Sequence, residues 1–230
     1  MRQYNKKGLY TAYDKNHKER QSEDYYSTPT EEVENILQRL YDEGKLDLAD
    51  KYILEPSCGG GHMLKGIVNS FNKQGASGVI FGSDIKDRSN KITKELDPKV
   101  NFYWGEEYDY LRDDYSIGMD VNDIDYVIMN PPFKLIEPFV IRSLEIAHRG
   151  VLMFGRLQFL EGEGRYENIL EDNPPSDVYV YVDRVACFKN GNTNIKSNSV
   201  QAYAWYFWDK IEPTKNPRLH WIRRKSKCSS

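Results

Sequence analysis

Asn130-Pro131-Pro132-Phe133 closes a short apolar run, Tyr126-Val127-Ile128-Met129. Two consecutive prolines give no N–H to a strand ladder and cannot continue into a helix, so the backbone leaves the strand extended and rigid. That geometry presents Asn130 and the Pro131 carbonyl as acceptors at the carboxyl end of a strand, where open α/β sheets bind ligands. Phe133 sets a flat face beside them. An amino group conjugated to an aromatic ring is a poor nucleophile, because its lone pair is delocalised into the ring. Two acceptors gripping its hydrogens localise that lone pair and aim it at an electrophilic carbon, with no strong base required.

A second constellation lies upstream. Glu55-Pro56-Ser57-Cys58-Gly59-Gly60-Gly61 sits at a strand end and opens a helix. Glycine at such a turn allows positive φ and close approach of a ligand to the backbone. Asp84 and Ile85 end the next strand, where an acid accepts hydrogen bonds from ribose hydroxyls. A dinucleotide's pyrophosphate is ordinarily met by G-x-G-x-x-G, but His62, Met63 and Leu64 follow the glycines here. Glu55 would repel phosphate and favours an ammonium or sulfonium. S-adenosylmethionine carries both.

Strand and helix signals alternate around these motifs. Residues 52–54, 78–82, 100–104, 126–129 and 151–154 read as five strands. Ser27 to Glu31 predicts a helix start, with Thr28 as N-cap, Pro29 as first helical residue and Glu31 as capping-box partner. Val33, Ile36, Leu37 and Leu40 follow at helical spacing, and Gly44 is a stop signal. Met63, Leu64, Ile67, Val68 and Phe71 share one face of a second helix, and Val140, Leu144 and Ala147 align on another near 137–149. Residues 178–188 and 200–208 read as two longer closing strands, joined by the polar loop Asn190–Ser199. The Trp205–Trp208 cluster reads as core strand rather than as a base-stacking surface. This alternation predicts a Rossmann-like α/β domain, its sheet mostly parallel with an antiparallel edge strand.

The 230 residues suffice for one ordinary globular domain, and 39% hydrophobic with 13% aromatic content excludes a largely disordered chain. A net charge of −3 excludes a binder working by bulk positive charge. Charge is nevertheless segregated. Residues 105–125 hold eight acids against one base, and the last eighteen residues hold six bases and no acid. Basic ends around an acidic middle suit a polyanion together with a cationic small ligand. No apolar run approaches a membrane span, and the first ten residues lack the apolar core of a signal peptide, so a cytoplasmic protein is expected. Three scattered cysteines and four histidines make no metal-ligand spacing, and no metal is expected.

These residues resemble the S-adenosylmethionine-dependent amino-methyltransferases, and most closely the DNA N6-adenine methyltransferases of compact phage and prophage type. The acid-x-x-x-Gly-x-Gly turn of that family is matched by Glu55, Gly59 and Gly61, and its catalytic tetrapeptide by Asn130, Pro131, Pro132 and Phe133. Tyr26-Ser27-Thr28-Pro29 is similar to the Tyr-x-Thr-Pro element that touches the cofactor's methionine moiety, which implies cofactor roles for Tyr26, Thr28 and Pro29 beside Glu55, Pro56, Ser57, Asp84 and Ile85. Tyr108 to Leu111 looks like the segment whose acid holds the cofactor's adenine amino group, which assigns Asp109 and Tyr110. Segments 156–162 and 205–210 also look like parts of the compact phage enzymes.

The resemblance implies methyl transfer to the N6 amino group of adenine in DNA by base flipping. Asn in the first position of the tetrapeptide favours adenine over cytosine N4. The chain departs from larger members of the family in having no room for a separate target-recognition domain. A flexible arm over 1–24, a catalytic domain over 25–212 and a basic tail over 213–230 are expected. Contacts to nucleic acid then fall to Lys189, Lys196, Arg223 and Arg224, with Arg156 and Arg165 after the fifth strand. RNA bases and protein glutamine are alternative acceptors of the same chemistry. A catalytically silent module that only binds DNA or a partner is a further alternative.

Overall fold

The computed structural model of the chain describes residues 26–189 and 201–225. The arm over 1–24, Tyr25 and Lys196 lie outside them. Eight strands form one twisted sheet. In chain order these are β2 (Lys51–Glu55), β3 (Gly78–Asp84), β4 (Val100–Trp104), β5 (Tyr126–Met129), β6 (Gly150–Arg156), β7 (Asp177–Tyr181), β9 (Tyr203–Asp209) and β10 (Arg218–Ile222). Their spatial order is β10-β7-β9-β6-β5-β2-β3-β4. Only β9 runs antiparallel to its neighbours, β6 and β7. The sheet is therefore the mostly parallel one expected. The antiparallel strand, however, lies between two parallel neighbours rather than at an edge.

Helices cover both faces, because central strands such as β5 are apolar on both sides and must be buried twice. On one face α1 (Thr30–Asp42) and α2 (His62–Gln74) pack over Ile53, Ile80, Ile128 and Trp205. The two helices approach very closely at Gly66, where a Cβ would stand 2.6 Å from Val33 Cβ. A short α3 (Lys91–Leu96), capped by Asn90, packs against α2. On the other face α4 (Ile136–Ile146) joins Tyr110, Tyr115 and Ile124 over Val127 and Val151. Trp205 and Trp208 are core, with exposures of 0% and 3%. No helix among the described residues is long and apolar enough to cross a membrane.

The structure corrects three expectations. Thr28 does not cap the first helix, which begins at Thr30 with Pro29 in the cap position and no side-chain cap. The segment 178–188 is not one strand. It ends at Tyr181, and β8 (Phe188–Lys189) pairs antiparallel with β1 (Tyr26–Ser27) in a separate two-stranded ladder. Residues 218–222 are not a free tail but the edge strand β10, parallel to β7. That strand is fixed by charge as much as by apolar contact. The Asp177 carboxylate, fully buried, accepts from Arg218 at 2.9 Å, Lys45 at 2.9 Å and His220 at 2.7 Å.

Candidate active site

The carboxyl ends of β2, β3 and β5 open into one cavity. Its walls include Glu55, Pro56, Ser57, Asp84, Ile85, Asp109, Tyr110 and the whole tetrapeptide Asn130 to Phe133, with Tyr26 and Thr28 closing one side. The structure thus brings together thirteen of the residues singled out in the sequence, from five separate segments. Three others shape the cavity without lining it. Pro29 leads into α1. Gly59 gives its N–H to Asp84 Oδ2 at 3.0 Å, and Gly61 caps α2 at φ +80°, a conformation that favours glycine.

The Asn130 amide is held in one orientation. Its Nδ2 donates to the Tyr26 carbonyl at 3.0 Å and to Thr28 Oγ1 at 3.0 Å. A carbonyl is acceptor only, so the NH2 must face Tyr26 and the Oδ1 must face the other way. Thr28, expected as a cap, instead holds the side chain of the tetrapeptide. The β1–β8 ladder positions the Tyr26 carbonyl, and Ser57 Oγ donates to the Asn130 carbonyl at 3.2 Å, joining the glycine turn to the tetrapeptide.

Three acids also line the cavity. Glu55 is 2% exposed, and its Oε2 is buried with no hydrogen-bond partner. Burial, reinforced by the Asp84 charge, pushes its carboxyl well above the usual range, against one backbone hydrogen bond from Leu64. Asp84 is also raised by burial, opposed by N–H groups of Lys86 and Gly59 and by Arg88. Asp109 is raised by burial, opposed by the Leu111 N–H at 3.2 Å. These acids, one of them with an unsatisfied oxygen, share the cavity with Lys86, Arg88 and Lys134 and suit a ligand with several hydrogen-bond donors. The ring of Tyr110 belongs to the core, its hydroxyl paired with Ser143 Oγ at 2.9 Å.

Sequence reasoning missed several lining residues, among them His62, Lys86, Arg88, Lys134 and Phe139. Lys134 and Phe139 follow directly from the tetrapeptide and α4, so proximity in sequence was their available signal. Among the nucleic-acid candidates, Lys189 pairs through its backbone with Tyr26 at the site. Arg224 lies 3.7 Å from buried Glu32 and donates to the Arg184 carbonyl, while the Arg223 carbonyl accepts from Asn35. Among the described residues no cluster of three or more metal-ligating side chains occurs.

The fold recurs among solved structures. A protein assigned as a class I S-adenosylmethionine-dependent methyltransferase from Listeria monocytogenes superposes with a TM-score of 0.62 at 16% identity, covering 94% of this chain and 72% of that one. The fold is that of the class I methyltransferases. The human methyltransferase 10 domain containing protein gives a TM-score of 0.51 at 11% identity, over 90% of this chain and 98% of that one. A protein assigned as an O-methyltransferase from Agrobacterium tumefaciens gives 0.52 at 10%, over 86% of each. No protein-family model and no curated protein matches the sequence.

Proposed function

We propose that the protein transfers a methyl group from S-adenosylmethionine to the N6 amino group of adenine in DNA. The observation that carries this reading is the pinned Asn130 amide, whose Oδ1 is left as an acceptor in a cavity shared with Glu55, Asp84 and Asp109. An acceptor beside a rigid Pro-Pro exit suits an exocyclic amino group, which has hydrogens to give and a delocalised lone pair to recover. The cofactor fits these acids. The unsatisfied Glu55 Oε2 suits its cationic end, Asp84 its ribose hydroxyls and Asp109 its adenine amino group. When bound, S-adenosylmethionine supplies an electrophilic methyl on a sulfonium.

The chain's own residues then do the following. Asn130 Oδ1 and the Pro131 carbonyl accept the two amino hydrogens and turn the lone pair out of the ring plane toward the methyl. Positioning of this kind supplies much of the rate. The target amino group lies inside a duplex stack, so the base must be extruded at a cost of a few kcal/mol. Stacking on Phe133 offsets roughly 1–3 kcal/mol of it. The test is direct. The protein is incubated with labelled S-adenosylmethionine and unmethylated DNA, RNA or protein, and the digested products are identified by mass spectrometry. N6-methyldeoxyadenosine is expected. Label confined to RNA, to cytosine or to glutamine overturns the substrate assignment.

A further inference from the structure

Phe133 is already stacked. The guanidinium of Arg156, at the end of β6, lies 3.9 Å from the centre of the Phe133 ring. Arg156 itself is not one of the residues lining the cavity, although Phe133 is. The Tyr26 ring stands 5.5 Å from Phe133, tilted by 38°. Tyr203, the cross-strand partner of Arg156, also hydrogen-bonds with its side chain. Yet among the described residues Arg156 has no ion-pair partner, and its Nε is buried with no hydrogen-bond partner. A planar cation with an unused donor and no counter-charge among the described residues, on the aromatic of the tetrapeptide, is unusual. Arginine in such a setting ordinarily meets a carboxylate or a phosphate.

A flipped base stacking on Phe133 needs a face of the ring, and this guanidinium covers one. We propose that Arg156 is a substrate-binding residue of this site: it covers Phe133 until the target base displaces it, and the displaced guanidinium then takes a backbone phosphate beside the flipped nucleotide. This rests on the nucleic-acid reading above and deepens it. The exchange conserves a planar stacking partner on Phe133 throughout, so the ring is not left bare to water. It also couples opening of the stacking face to arrival of an anionic strand. Neutral amino acceptors, including free nucleosides and protein side chains, bring no phosphate to draw the arginine away.

The test compares wild type with Arg156→Gln and Arg156→Lys on random-sequence DNA duplexes of about 30 base pairs, measuring binding against salt and the kcat and KM of methyl transfer. For Arg156→Gln the expected result is a KM at least about tenfold higher, a kcat within about threefold, and a plot of log K against log salt shallower by about 0.9. Arg156→Lys keeps the charge and should retain the wild-type salt slope. S-adenosylmethionine affinity and melting temperature should stay near wild type in both. An unchanged KM and slope in Arg156→Gln overturns the proposal while leaving the methyltransferase reading intact. So does a loss of cofactor affinity and stability that accounts for the whole kinetic defect, because Arg156 would then be only a packing residue. A wild-type protein that transfers no methyl to DNA overturns both.

Discussion

Asn130 carries the chemistry proposed here; the Tyr26 carbonyl sets which way it faces and Thr28 helps to hold it there. Replacing Thr28 by the isosteric Val removes one of the two acceptors on Asn130 Nδ2 and leaves a half-buried donor short of a partner, worth about 1 kcal/mol or more. Thr28→Val should lower kcat by roughly tenfold or more while titration calorimetry shows nearly unchanged S-adenosylmethionine affinity. The reverse outcome would return Thr28 to the cofactor-contact role its sequence context suggested. Glu55 yields a pH prediction. Its carboxyl is raised by burial and by Asp84, so the folded state favours the neutral form. The stability it contributes is therefore present at low pH and is lost as pH rises through the raised value. Glu55→Gln removes that loss. In thermal melts without cofactor the variant should gain stability over wild type at pH 8 and little at pH 5, and calorimetry should show weakened cofactor binding. Both acids of the cofactor wall, Glu55 and Asp84, were legible in the sequence because each ends a strand beside a local motif. The hold on Asn130 was not, since it joins residues 102 and 104 positions apart.

At the scale of elements, the strands with buried apolar runs and the three longer helices were readable from periodicity, and apart from the strand read over 178–188 their bounds shifted by a few residues at most. Two-residue strands have no period. β1 and β8 were invisible for that reason, although they bring Tyr26 to the tetrapeptide. β10 was hidden by its composition. Arg218 and His220 read as tail charges, whereas their partner is a carboxylate buried at the start of β7 rather than an apolar face. The α1–α2 contact depends on a residue with no side chain. At Gly66 an added Cβ would meet Val33 Cβ at 2.6 Å and the Thr30 carbonyl at 2.9 Å, both on a helix that cannot move without disturbing the Thr28–Asn130 link. Gly66→Ala should destabilise the fold by about 1–3 kcal/mol, outweighing the better helix propensity of alanine, as denaturant titration would show.

Across the whole molecule, the carboxy-terminal bases are largely engaged by the protein itself. Lys215, Arg218, Arg224 and Lys225 pair with Asp172, Asp177, Glu32 and Glu34. Deleting 215–230 would strip β10 from the sheet and leave Asp177 with Lys45 as its remaining cation among these partners, a loss of about 3–5 kcal/mol for a broken buried network. The truncated protein should melt well below the full chain. Its salt dependence of DNA binding should change far less than the removal of six positive charges implies. A sharply flattened slope in a truncated protein of unchanged melting temperature would restore the tail as the nucleic-acid contact.

The placement of β9 has a consequence for how the protein is made. β6 is complete at Arg156, but the strand that covers its free edge begins at Tyr203, and β7, synthesised in between, has no ladder to the sheet except through β9. At ordinary translation rates of about 5–20 residues per second, the emerging half-sheet exposes an apolar edge for roughly 2–10 s. During that interval another nascent chain can pair with β6 as readily as β9 can. Yield of native protein should therefore fall when translation is slowed between codons 157 and 203, a vulnerability of biosynthesis that equilibrium unfolding would never register.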